Sequence, residues 1–284
     1  MAQVGARVMQ QRRLRSELRR IREGAGRTQK WAAEALGWSM SKVIRIETGV
    51  VPVSPADVMA MLHVYELDDR RLADELVAIT RTRTAMWWDE YRDILSDQAL
   101  DLLDYENSAT GIRQYIGFAM PGLLQTDEYA MAAAGRLAGP DTVERLVEVQ
   151  QRRQHRLSES DGPQASFVLD EAVLHRRVGG PSVMRNQLLH LKEVANAGDV
   201  TILVVPFTSG THLGMAASFT IFEFAPEYGD SIVTITDPHR EAVIRDDPES
   251  AKKYAGTFRE LQDLATDRLD EIIDPLLETM RRAS

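Results

Sequence analysis

The sequence contains no cysteine, which removes disulfides, thiolate metal sites and thiol nucleophiles together and suits a reducing compartment. Histidine is scarce as well: six residues are scattered along 284, and none stands at metal-ligand or triad spacing from suitable partners. No glycine-rich phosphate loop is present. No apolar run approaches the roughly 20 residues that a membrane span needs. Met1 to Gln10 lacks a continuous apolar stretch of signal-peptide length,. Internal repeats and low-complexity segments are missing too. These absences predict a cytoplasmic chain with no cofactor, no metal site and no membrane anchor.

What remains is an ordinary globular composition, 44% hydrophobic and 27% charged, in a chain long enough for two domains. The net charge of −9 speaks against a nucleic-acid partner only if it is evenly spread, and it is not. Residues 1–83 hold 15 Lys/Arg against 10 Asp/Glu, a net +5, whereas residues 84–284 hold 19 against 33, a net −14. Within residues 1–50 the ratio is 11 basic to 4 acidic, the footprint expected where phosphates are neutralised and counterions released.

The basic half is organised around Thr28 to Gly49. Thr28 and Ser39 can each cap a helix by accepting a hydrogen bond from a first-turn N–H. Gly37 after Leu36, and Gly49 after Glu47, supply the left-handed stop that lets the chain turn back within a few residues. Ala33 and Leu36 on the first helix, and Val43 and Ile46 on the second, are spaced by three and give each helix a small apolar face for the other. Before this pair, Arg12 to Glu23 places Leu14, Leu18 and Ile21 on one side of a basic amphipathic helix. After it, Ser54-Pro55 opens a fourth helix through Tyr65, and Asp68 to Arg81 a fifth. Arg81 to Thr84 reads as a linker. The prediction is an all-α domain over 1–83.

From Thr84 onward the pattern is mixed. Trp87, Trp88 and Tyr91 read as core aromatics, followed by a helix from Ser96 to Thr110, a short apolar strand around Tyr115, a Pro-Gly turn at 121–122 and a helix with an acidic first turn. A further helix spans Thr142 to Leu157. Strands are expected at Ala165 to Leu169, Val200 to Pro206, Ser218 to Phe224 and Ser231 to Thr236. Helices return at Val183 to Asn196 and at Ser250 to Asp270, with Pro275 ending or bending the last one. Residues 84–284 are thus expected to form an α+β domain.

The Thr28–Glu47 pattern resembles the helix-turn-helix of the Xre/Cro family of repressors, whose second helix enters the major groove. The resemblance rests on Thr28-Gln29, Ala33, Leu36-Gly37 and Ser41 to Glu47. It implies that Met40, Ser41, Ile44 and Arg45 face base edges. It also implies that Gln29 contacts backbone or base at a helix N-terminus, and that Lys30 and Lys42 meet phosphates. Met40 departs from the glutamine common at its position, so operators of relatives do not transfer. The family further implies a structural ion pair between Arg22 and Glu47.

The second region resembles the domain of unknown function that follows the helix-turn-helix in actinobacterial, especially streptomycete, regulators, including those of the WhiJ type. The residues that carry it are Pro121 to Ala130, Arg152-Arg153-Gln154, Leu169 to Leu174 with Val178-Gly179-Gly180, and Val205-Pro206-Phe207 with Gly210 and His212. That family is commonly encoded beside a small acidic partner protein. The implied function is a homodimeric, sequence-specific transcriptional regulator of repressor type on double-stranded DNA of the nucleoid. Its C-terminal domain is expected to sense a small-molecule effector or to dock a partner protein.

Two alternatives remain beside it. One is a DNA-anchored half of a toxin-antitoxin-like pair; the other is an enzyme fused to a DNA-binding module. The enzyme reading would use Asp170, Glu171, His175 and Arg176-Arg177, with His212 and Asp237-Pro238-His239 further on. Asp170-Glu171 reads better as an acidic helix start than as an acid/base couple, so no enzymatic activity is expected.

Overall fold

A computed structural model describes residues 7–48, 51, 53–81, 85–135, 138–236 and 243–282. The chain divides into two compact units, Met1–Trp87 with Phe224–Gly229, and Trp88–Glu223 with Asp230–Ser284.

Among the described residues the first unit is built from five α-helices: α1 (Arg7–Gly24), α2 (Gln29–Leu36), α3 (Met40–Glu47), α4 (Pro55–Val64) and α5 (Arg70–Arg81). Each start has a local chemical reason. Thr28 Oγ1 accepts from Trp31 N at 3.1 Å, Ser39 Oγ from Lys42 N at 3.2 Å and Ser54 Oγ from Asp57 N at 3.1 Å, each satisfying a donor the helix itself cannot pair. Leu14 and Leu18 of α1, Ala32 and Ala33 of α2, Val43 and Ile46 of α3, and Met61 of α4 and Leu76 of α5 close into one buried cluster. Helices this short owe their stability to that shared core rather than to intrinsic propensity.

Gly37 sits at φ 65°, ψ 27°, and its N–H turns back to Ala33 and Glu34 carbonyls. A Cβ there would meet nothing within 4 Å, so a Gly37→Ala substitution is opposed by backbone conformation alone. It is expected to cost about 1 kcal/mol, read as a lower urea midpoint with an unchanged slope. An unchanged midpoint would mean that the turn does not hold this conformation in solution. Gly49 lies outside the described residues.

The second unit opens with buried Trp88 and Tyr91 and α6 (Asp97–Ser108), then alternates strands and helices: β1 (Gly111–Ile116), α7 (Asp127–Ala134), α8 (Pro140–Leu157), β2 (Gln164–Asp170), α9 (Glu171–His175), α10 (Pro181–Ala197) and β3 (Val200–Val205). It continues with β4 (Phe219–Glu223), β5 (Ile232–Ile235), β6 (Val243–Arg245), α11 (Pro248–Leu264) and α12 (Leu269–Arg282). The strands form one six-stranded sheet in the order β3-β2-β1-β4-β5-β6. β1, β2 and β3 run parallel, and β4 to β6 pair antiparallel. In β2, Phe167, Val168 and Leu169 are all buried, because a central parallel strand is covered on both faces. Phe258 and Leu261 of α11 pack with Tyr115, Val168, Val205 and Phe219 on one of those faces. The architecture is therefore an all-helical domain followed by an α+β domain.

The C-terminal helix differs from expectation. Instead of one helix over 250–270, α11 stops at Leu264, and Thr266 exchanges two backbone hydrogen bonds with Val204, Thr266 N to Val204 O at 2.8 Å and Val204 N to Thr266 O at 2.9 Å. β3 is an edge strand with unpaired backbone groups, and extended chain at Thr266 satisfies some of them at the cost of helix continuity. Pro275 does not terminate anything; it lies inside α12, where the proline costs one helical hydrogen bond.

Candidate nucleic-acid interface

α3 has two faces. Val43 and Ile46 point into the core at 0% and 2% exposure. Met40, Ser41 and Arg45 are exposed and Ile44 is partly so. Ser41 and Arg45 stand four residues apart and share one side of the helix. Arg45 and Lys30 form no ion pair among the described residues, and both are exposed.

Behind this face, Arg22 and Glu47 form a two-pronged pair, Nε to Oε1 at 2.7 Å and Nη2 to Oε2 at 2.9 Å, with side chains only 6% and 2% exposed. Arg22 Nη1 also donates to the Arg27 carbonyl at 2.7 Å, and Gln29 Nε2 donates to Glu47 Oε2 at 2.8 Å. Glu47 thus ties together α1, the start of α2 and the end of α3. Its hydrogen bonds to Arg22 raise the guanidinium pKa despite burial. Burial, and then the Glu47 charge, push up the pKa of the neighbouring Tyr65 phenol. The Gln29 amide nitrogen is therefore engaged inside the protein.

Lys42 is also engaged. Its Nζ lies 2.8 Å from Asp57 Oδ1 and 3.6 Å from the centroid of Trp38. Burial opposes ionisation of Asp57, but hydrogen bonds from Lys42 and Ser54 outweigh it and hold the carboxyl below its ordinary range. The pairing of Lys42 with Asp57, 15 positions on, carries no local sequence signal. On α1, Arg13 pairs with Glu75, Arg19 with Glu23 and Arg20 with Glu17, so the basic helix offers fewer unpaired cations than its composition implies. Exposed pairs of this kind are worth little and can be exchanged for phosphate contacts.

In the second unit the fold assembles part of the scattered polar set. Asp170 caps α9 by accepting from Ala172 N at 2.9 Å. Glu171 accepts from Phe207 N at 2.7 Å and lies 3.1 Å from His175 Nε2. His212 reaches Asp170 across 42 positions, with Nε2 at 3.2 Å from Oδ2. Arg176 and Arg177 are exposed. Asp237, Pro238 and His239 lie outside the described residues. Among the described residues no group of three His, Asp or Glu could hold a metal ion, and no helix is long and apolar enough to cross a membrane.

Comparison with family models gives a helix-turn-helix domain over residues 13–76 and the domain of unknown function DUF5753 over residues 99–272. No match was found among curated proteins or among solved structures. The first model runs from within α1 through α4 and into α5, which makes the chain a DNA-binding regulator by domain type. The second covers well over half of the 284 residues, from α6 into α12. The chain belongs to the DUF5753 family, carrying that domain behind an N-terminal helix-turn-helix.

Proposed function

We propose that the chain is a sequence-specific, homodimeric transcriptional regulator of the Xre kind and of repressor type, acting on nucleoid DNA in the cytoplasm. The observation that carries the reading is the two-faced α3, whose exposed Met40, Ser41 and Arg45 and partly exposed Ile44 lie opposite a core-facing Val43 and Ile46. Lys30 beside it supplies a phosphate-binding charge. Dimerisation follows from the size of one module: two half-sites multiply affinity, and the symmetry of the operator mirrors that of the protein.

In this reading the acidic second domain senses a small molecule and so shifts operator affinity through a coupling free energy between two sites. A cavity of about 340 Å³ between α6, α7 and α8, walled by Ala99, Leu102, Leu103, Ala130 and Ala133, supports a small-molecule effector over a docked acidic partner. That volume is in the range of ligand pockets. Genome-wide mapping of bound sites, with a Ser41→Ala, Arg45→Ala variant beside the parent chain, tests the proposal. Discrete sites that repeat about one helical turn apart and vanish in the variant are expected. Diffuse binding that survives both substitutions would overturn sequence-specific regulation.

A further inference from the structure

The carboxyl ends of the three parallel strands bring together side chains that the DNA-binding reading does not use. Tyr115 is the last residue but one of β1, Asp170 ends β2, and His212 lies on the segment after β3. The His212 side chain is 4% exposed. Its Nε2 donates to Asp170 Oδ2 at 3.2 Å, and Tyr115 Oη donates to the same oxygen at 3.4 Å. The Tyr115 and His212 rings meet edge to face at 6.0 Å. Asp170 Oδ1 is held by the N–H of Ala172. Burial, and then the Asp170 charge, push the Tyr115 phenol pKa up, so it stays a donor.

One atom of this set is left over. His212 Nδ1 is buried and makes no hydrogen bond among the described residues. A carboxylate only accepts, so Nε2 carries a proton, and in the tautomer that holds this proton alone Nδ1 presents a lone pair. A buried polar atom without a partner is costly and asks for a donor.

Around this constellation the surface is unusually apolar. Phe118 follows β1, Phe207 follows β3, and Leu213 and Met215 flank the His212 segment; they are 44%, 58%, 56% and 67% exposed. Half of the large exposed hydrophobics among the described residues lie on these loops. Loops at the carboxyl ends of parallel strands are where open α/β sheets bind ligands.

We infer that the carboxyl ends of β1, β2 and β3 form a binding site for a mostly apolar small molecule bearing a hydroxyl or amide N–H, received by His212 Nδ1. Phe118, Phe207, Leu213 and Met215 supply the apolar contact. The site is separate from the cavity between α6, α7 and α8, and it stands whether or not its occupancy alters DNA affinity.

The test uses the full chain and two probes with one apolar body, 2-naphthol and 2-methoxynaphthalene, which differ in whether the oxygen can donate. Calorimetric titration is expected to show 2-naphthol binding about tenfold tighter, the worth of one hydrogen bond. His212→Phe is expected to erase the difference, and Ala133→Phe in the other cavity to leave it intact. Should His212→Phe fail to fold, Phe207→Ser alters an exposed side chain and is expected to weaken both probes about tenfold. Binding of neither probe, equal binding of both, or binding abolished by Ala133→Phe alone would overturn the inference. Retained tight binding in Phe207→Ser would do so as well.

Discussion

Replacing Glu47 with alanine is expected to cost about 3–5 kcal/mol of folding free energy in the first unit. The reason is what remains behind. Arg22 stays buried with its carboxylate gone, keeping the Arg27 carbonyl and a 3.3 Å contact to the Glu23 carboxylate. Gln29 loses the acceptor of its amide. Since a domain of this size is stable by only about 5–15 kcal/mol, the variant should unfold at a much lower temperature and bind DNA poorly for that reason alone. A double substitution, Arg22→Met with Glu47→Leu, removes both charges together and should recover most of the loss. Thermal unfolding of the parent, the single and the double variants decides the matter. A single variant weaker by less than about 1 kcal/mol would mean that water reaches the pair and that α3 is not anchored through it.

The parts of this architecture that are legible in the sequence are those with local causes. The caps at Thr28, Ser39 and Ser54 act within three residues, and the Gly37 turn is set by its own φ. The apolar spacing of Leu14, Leu18 and Ile21, or of Val43 and Ile46, marks a buried face because the helical period is fixed. β2 reads as a strand because Phe167, Val168 and Leu169 form a short apolar run, but nothing in that run says that its neighbours are β1 and β3, or that all three are parallel. That order decides which side chains meet. It brings His212 to Asp170 across 42 positions and Thr266 to Val204 across 62, and neither pairing leaves a trace in periodicity. β6, three residues long, is too short to carry a pattern at all.

The same limit holds at the DNA-binding face. Its exposed side follows from helical geometry, while the competition for its cations does not. Lys42 is drawn to Asp57 in the first turn of α4 and to Trp38 in the turn before α3, and the α1 arginines by carboxylates one turn away or on α5. Composition alone counts these charges as available; the fold has already spent several of them on itself.

That division gives Arg45 the second large expected effect. It is exposed in the last turn of α3, one helical turn from Ser41 on the same side, and it holds no ion pair among the described residues, so binding DNA breaks nothing to release it. A guanidinium so placed can meet a guanine edge through two hydrogen bonds, a contact worth about 1–3 kcal/mol of discrimination. Arg45→Ala should therefore weaken binding to a mapped site about 5- to 150-fold and weaken binding to a scrambled duplex much less. Lys30→Ala should behave differently, lowering affinity for both duplexes alike and reducing the salt slope by about 0.9. Fluorescence anisotropy on both duplexes across a salt series separates the two roles. If Arg45→Ala also weakens both duplexes equally and flattens the salt dependence, Arg45 is a backbone contact. Base reading would then fall to Met40, Ser41 and Ile44, and of these only Ser41 carries a hydrogen-bonding side chain.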